Sequence, residues 1–184
     1  MMTKTTKKKP AWNDLKRNLA DHDRNALLGL VQDLYAASTD NQAFLHTRFG
    51  LGEDVLESYK TTISRWVCPD VMRKHVISVS KAKKAISDYK KASGRPEGMA
   101  ELSVFYCEVC VDFISNYGMD DEGYLDALIR MFEQALKAIR QLEPGQQAPL
   151  VNRLERVQGE GHKWGWYVGD NMDDLIAEYG FGEE

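Results

Sequence analysis

The stretch PEGMAELSVFYCEVCVDFISNY, residues 96–117, decides the fold of this chain. Proline at its start fits the first turn of a helix, where a backbone N–H has no helical partner to lose. At 100° per residue most of its polar side chains share one narrow stripe; they are Glu101, Glu108, Asp112, Ser115 and Asn116. The rest of the circumference is largely apolar. Such a helix is buried by neighbours on several sides, so the stretch predicts a central helix.

The segments on either side also have helical periodicity. One helix is predicted over Trp12 to Ala20, and Asp21 or Asp23 would cap the next, whose apolar side chains are Leu27, Leu28, Leu30, Val31, Leu34 and Tyr35. Ser80 is the predicted cap of a later helix, and EPGQQAP, residues 143–149, is a predicted loop. No segment shows a sustained alternation of period two. The predicted fold class is therefore all-α, either an irregular antiparallel helical bundle or a short stack of helix pairs, with about eight or nine helices.

Composition predicts one ordinary globular domain in the cytoplasm. The 184 residues are 43% hydrophobic and 28% charged, and the chain has only three cysteines, which argues against a secreted disulfide scaffold. The basic start has no apolar core behind it, unlike a signal peptide, and no apolar run is long enough to span a membrane. The expected organisation is a flexible basic tail over residues 1–10 and a single all-helical domain over residues 11–184.

Charge is distributed unevenly along the chain. Residues 1–91 hold 17 Lys and Arg against 10 Asp and Glu, whereas the formal net charge of the whole chain is −4. A nucleic-acid-associated protein is one alternative, using basic residues of the first half: Lys7, Lys8, Lys9, Lys81, Lys83, Lys84, Lys90 and Lys91. The overall acidity counts against it, and a charge imbalance also arises when neighbouring faces merely differ. Nucleic acid is therefore not the expected partner.

Two patterns in the central helix have the spacing of chemical sites. Cys107 and Cys110 form a CxxC pair, but in the middle of a largely apolar helix they are expected to pack as small buried hydrophobic residues. Glu101, Glu108 and Asp112 share one face, which suggests a metal-dependent enzyme as a further alternative. No histidine follows either glutamate by three residues, so a wet edge of the helix is the preferred interpretation. No nucleophile elbow or phosphate-binding loop is present, so we predict no catalytic residue, no metal ligand and no cofactor.

The stretch GEGHKWGWYVGD, residues 159–170, is the best candidate binding site. Gly161, Gly165 and Gly169 recur every fourth residue, which on a helix would let another backbone approach closely. Alternatively the helix breaks near Gly161 and exposes an imidazole, a cation and aromatic rings. The candidate binding residues are His162, Lys163, Trp164, Trp166 and Tyr167.

Several segments together resemble a bacterial family filed as a domain of unknown function, number six-one-five-five. The matching segments are LKRNLADHDRNALLGLVQDLYA with the following AFL, SVSKAKKAISDYKK, FYCEVCVDFISNYGMDDEGYLDALIRMFEQALKAI and GHKWGWYVGDNMDDLI. They extend over roughly residues 12–178. The resemblance implies a helical bacterial protein and supplies no activity, cofactor or catalytic residue.

The preferred functional hypothesis is a non-enzymatic helical module of the bacterial cytoplasm that binds a protein or peptide, or acts as a scaffold. The sequence leaves the ligand and the oligomeric state open.

Overall fold

A computed structural model of the chain describes residues 9–70, 73, 75–164 and 166–181, with the backbone alone at residue 166. Within these ranges the chain forms nine α-helices and no strand, so the all-α prediction is confirmed. The helices are α1 (Trp12–Ala20), α2 (Arg24–Ala37), α3 (Thr39–Phe49), α4 (Glu57–Val67), α5 (Val79–Ala92), α6 (Pro96–Tyr117), α7 (Glu122–Ile139), α8 (Pro144–Gly161) and α9 (Trp166–Glu178). A 3-10 turn, His162–Trp164, separates α8 from α9. Residues 1–8, most of the predicted tail, lie outside the described residues.

Backbone contacts divide the chain into two compact units, residues 1–43 and 44–184. A division by contacts does not decide whether both fold in one transition, so the single-domain prediction stays a prediction. In the first unit, the Asp23 side chain accepts a hydrogen bond from the Ala26 N–H at 2.7 Å and caps α2. At the other end, the side-chain amides of Asn41 and Gln42 donate to carbonyls in the last turn of α2. These bonds satisfy polar groups that a helix end leaves without partners.

Helix α6 is the centre of the second unit, as its apolar circumference predicts. It packs against α4, α5, α7 and α8, and eleven of its residues are buried. Its two ends are closed by Pro96 in the first turn and by Gly118 after the last. Helix α9 completes the unit by packing against α7 and α8.

Two local predictions are wrong. Residues 144–149 are not a loop but the first turns of α8. Pro144 lies in the first turn, and the Glu143 N–H donates to the Gln146 side chain at 3.4 Å, so proline and a capping interaction start the helix. The second proline, Pro149, lies inside the helix, four residues after Gly145. Helix α5 begins at Val79 with Ser78 as its N-cap residue, two positions before the predicted cap at Ser80.

None of the helices in the described part of the chain has the length and apolarity that crossing a membrane requires.

Candidate functional site

Residues 158–173, named here the C-terminal turn, comprise the end of α8, the 3-10 turn and the first part of α9. The helix breaks at Gly161, as one of the two interpretations of this stretch predicts. The atoms nearest to Gly161 and Gly169 belong to side chains, whereas the other interpretation predicts the approach of a backbone. A Cβ atom at Gly161 would lie 3.3 Å from Met172 Sδ and 3.4 Å from Val168 Cγ1. Both neighbours belong to α9, so the small residue at the end of α8 lets α9 fold back against it.

Gly169 makes room for the imidazole of His162. A Cβ atom at this position would lie 2.3 Å from His162 Nδ1 and 2.7 Å from its Cγ, closer than any real contact allows. Glycine inside a helix lowers stability by about 1 kcal/mol relative to alanine. Glycine at position 169 therefore costs helix stability but allows the His162 ring to lie against α9.

The His162 ring contacts the carboxylate of Asp173, which has a second hydrogen-bond partner. His162 Nε2 lies 3.0 Å from Asp173 Oδ1, and the same oxygen accepts a hydrogen bond from Gln158 Nε2 at 2.5 Å. The hydrogen bond from Gln158, with a smaller contribution from His162, lowers the pKa of Asp173. The Asp170 carboxylate completes a group in which one ligand atom from each of His162, Asp170 and Asp173 lies within 4.8 Å of the others.

Sequence reasoning missed this group for a geometric reason. His162 and Asp173 are eleven residues apart, and a continuous helix would separate them by roughly 16 Å along its axis. The reversal at the 3-10 turn brings them together instead. The sequence signal for this group is Gly169, whose spacing from Gly161 and Gly165 predicts backbone packing instead.

The five predicted binding residues are neighbours in sequence, but those whose side chains the structure describes contact different parts of the chain. Lys163 Nζ pairs with Glu160 at 2.5 Å, and the Tyr167 hydroxyl donates to Asp126 Oδ1 at 2.7 Å. Trp164 is half-buried against the core, and the Trp166 side chain lies outside the described residues. His162, Lys163 and Tyr167 remain exposed. Their role as a binding site stays a prediction.

The acidic stripe on α6 is occupied by cations of the same chain. Arg153 of α8 donates to Glu101 and Glu108 at distances of 2.5 to 3.3 Å, and Lys60 of α4 pairs with Glu101 at 2.8 Å. These four side chains, named here the Arg153 network, are about three-quarters buried or slightly less. Asp112 is exposed further along the helix. Two of the three carboxylates are therefore neutralised by protein charges.

The CxxC pair is part of the core, as expected. Cys107 and Cys110 are free thiols with no exposed surface, and burial raises the pKa of both, to about 12 for Cys110. Cys68 is the half-buried third thiol. A buried thiol with a raised pKa is a poor nucleophile and metal ligand.

Helix α2 carries apolar side chains that are not buried. Every one of its 14 residues is exposed. Its six large apolar side chains, named here the α2 face, are 37 to 57% exposed: Leu27, Leu28, Leu30, Val31, Leu34 and Tyr35. At 100° per residue they occupy one broad side of the helix. The only charged residues of the helix are Arg24 and Asp33.

The lysines of the nucleic-acid alternative are partly engaged within the chain. Lys84 and Lys91 both pair with Asp88, and Lys81 Nζ lies 3.8 Å from the centre of the Trp66 ring. Lys7 and Lys8 lie outside the described residues.

No family model, curated protein or solved structure matches this chain. The resemblance to the bacterial family of unknown function therefore stays a prediction.

Proposed function

We propose that this protein is a non-enzymatic helical interaction module of the bacterial cytoplasm, and that the α2 face is the surface through which it binds another polypeptide. The observation that carries the proposal is the exposure of all six apolar side chains on α2. Together they leave on the order of 500 Å² of apolar surface, at the upper end of what monomers expose. The largest contiguous apolar patch of a monomer is often functional, and interaction with another protein is one such function.

The chemistry of the face points to a second copy of this chain as its occupant. A face with so little charge offers nothing for a charged partner to recognise, whereas an equally apolar helix would cover it. In an antiparallel pair centred on Val31, Leu28 would lie opposite the partner's Leu34, and the helix dipoles would oppose each other favourably. Two copies would bury about 1,000 Å² in total, which suits a weak and reversible dimer.

Sedimentation velocity on the full chain tests this proposal. Over a range of roughly 1 µM to 1 mM we expect a concentration-dependent monomer–dimer equilibrium. Leu28→Glu and Leu34→Glu should each weaken it at least about tenfold, because a charge would be buried in an apolar contact. Gln32→Glu is the matched control, since it adds the same charge to α2 outside the apolar side.

Two outcomes would overturn the second copy as the occupant. One is a protein that stays monomeric over the whole concentration range. The other is a dimer that Leu28→Glu and Leu34→Glu leave unchanged, which would place the interface elsewhere. Circular dichroism of each variant shows whether the helical fold is retained.

A further inference from the structure

We infer that His162, Asp170 and Asp173, named here the His–Asp–Asp cluster, form a binding site for a divalent transition-metal ion, with zinc as the matching probe. One imidazole nitrogen and two carboxylate oxygens are ligands that zinc and its neighbours in the first row accept, whereas calcium and magnesium favour oxygen alone. Metal–ligand bonds of about 2.0 to 2.2 Å in a tetrahedral site place donor atoms about 3.3 to 3.6 Å from one another. The three donor atoms here lie within 4.8 Å, so an ion would draw them together by about 1 Å through side-chain movements.

The ligands are held in place by residues outside the cluster. Gly169 leaves the space that the His162 ring occupies, because a side chain there would overlap it. Gln158 of α8 donates to Asp173 Oδ1, which orients the carboxylate. An ion bound to His162 Nε2 would replace the contact of this nitrogen with Asp173 Oδ1. Outer partners of this kind orient the ligands of metal sites, and losing them commonly weakens metal binding 10- to 100-fold.

The charge balance distinguishes this cluster from the other carboxylate group of the chain. In the Arg153 network the glutamates are neutralised by Arg153 and Lys60. The His–Asp–Asp cluster contains two carboxylates and neither lysine nor arginine, and nearby Lys163 pairs with Glu160 instead. Among the described residues, Asp170 has no hydrogen-bond or ion-pair partner. A dication would balance the two negative charges of Asp170 and Asp173.

A bound ion would join the 3-10 turn to α9 and stabilise the folded chain by mass action. Three protein ligands leave at least one coordination position for water or for a donor group from outside. Because this site lies on the C-terminal turn, the test of zinc binding does not depend on whether the α2 face forms a dimer interface.

Calorimetric titration of zinc into the untagged, chelator-treated full chain tests the site, with Cys68 replaced by serine to remove the accessible thiol. We expect one zinc per chain with a dissociation constant in the range of roughly 1 to 100 µM. Asp170→Asn and His162→Gln should each weaken binding by at least about tenfold. Asp174→Asn is the matched control: it removes an exposed carboxylate of the same helix that lies outside the cluster, and its affinity should equal that of the parent chain.

A spectroscopic readout on the unmutated chain guards against variants that fail to fold. In a ¹H–¹³C spectrum of the imidazoles, stoichiometric zinc should shift the His162 resonances and leave those of His22, His46 and His75 in place. The inference is overturned if zinc binds no tighter than about 1 mM. It is also overturned if Asp170→Asn and His162→Gln bind as the parent does, if Asp174→Asn loses as much affinity, or if the His162 resonances do not move.

Discussion

At the scale of single residues, glycines determine how closely the helices of the second unit approach. Gly98 of α6 lies under the Tyr89 ring of α5, where an added Cβ would sit 2.0 Å from the phenolic oxygen. Tyr89 in turn packs edge-on against Tyr59 of α4, with ring centroids 5.5 Å apart. Gly169 has the same relation to His162. At these positions the side chain of a neighbour takes the volume that the glycine leaves.

Gly169→Ala tests this relation at the C-terminal turn. Alanine gains about 1 kcal/mol of intrinsic helix stability, but its Cβ must displace the His162 ring and break its contact with Asp173. We expect a net loss in the free energy of unfolding, measured by urea denaturation. Gly159→Ala is the control, because its Cβ would meet no atom within 4 Å; it should stabilise the chain by up to about 1 kcal/mol.

A double variant separates the steric effect from other causes. When His162→Ala removes the ring, Gly169→Ala should become stabilising, as Gly159→Ala is. A Gly169→Ala variant that stabilises the chain with His162 in place would show that the ring and the glycine are not coupled.

At the scale of elements, the Arg153 network connects α4, α6 and α8. Burial alone would raise the pKa of Glu101, but hydrogen bonds from Arg153 and Lys60, together with their charges, lower it below its ordinary value. A carboxylate whose pKa is lower in the folded state stabilises the fold at neutral pH. That contribution is lost as the pH falls through the folded-state pKa. The network is therefore expected to hold the three helices together most strongly above about pH 5.

Arg153→Met tests the network. It leaves two largely buried glutamates with Lys60 to balance them, so we expect it to destabilise the chain by about 1–3 kcal/mol at pH 7 in chemical denaturation. The loss should shrink as the pH falls below about 4, because protonated carboxyl groups need no cation. Arg156→Met is the control on the same helix: Arg156 is exposed, and its side chain donates to the Asn152 carbonyl within its own helix. Equal losses for the two variants would contradict a specific role for Arg153.

At the scale of the whole molecule, the second unit has a buried hydrophobic core, whereas the residues of α2 are exposed. The core of the second unit is continuous from Tyr59 on α4 to Ile176 on α9. No residue of α1 or α2 is buried. Cooperative unfolding of the second unit is therefore the event that exposes its interior, including the thiols of α6.

Thiol labelling measures that event. With Ellman's reagent at pH 8, we expect one thiol per folded chain, Cys68, to react, and slowly, because burial and the nearby Asp112 raise its pKa. Cys107 and Cys110 should react only when the unit unfolds, and all three should react in denaturant. Cys68→Ser should abolish the native reaction. Three thiols reacting in the folded chain as fast as in denaturant would contradict a closed core around α6.

Most helices and the central position of α6 could be predicted from the sequence alone. Apolar periodicity is a local property, so α1, α6 and the capping of α2 by Asp23 could be predicted residue by residue. The apolar circumference of residues 96–117 also predicted the central position of α6, since only neighbours on several sides can bury such a helix. The prediction of a loop at residues 144–149 is wrong because two prolines and a glycine are typical of loops, whereas Pro144 begins a helix.

Which side chains contact each other across elements depends on the tertiary structure alone. The pairing of Arg153 with Glu101 spans 52 residues, and that of His162 with Asp173 depends on a reversal of the chain within one turn. Neither follows from local periodicity, because contacts between helices depend on how their axes pack. The exposure of α2 is likewise tertiary: its apolar stripe predicts a surface that must be covered, but not what covers it.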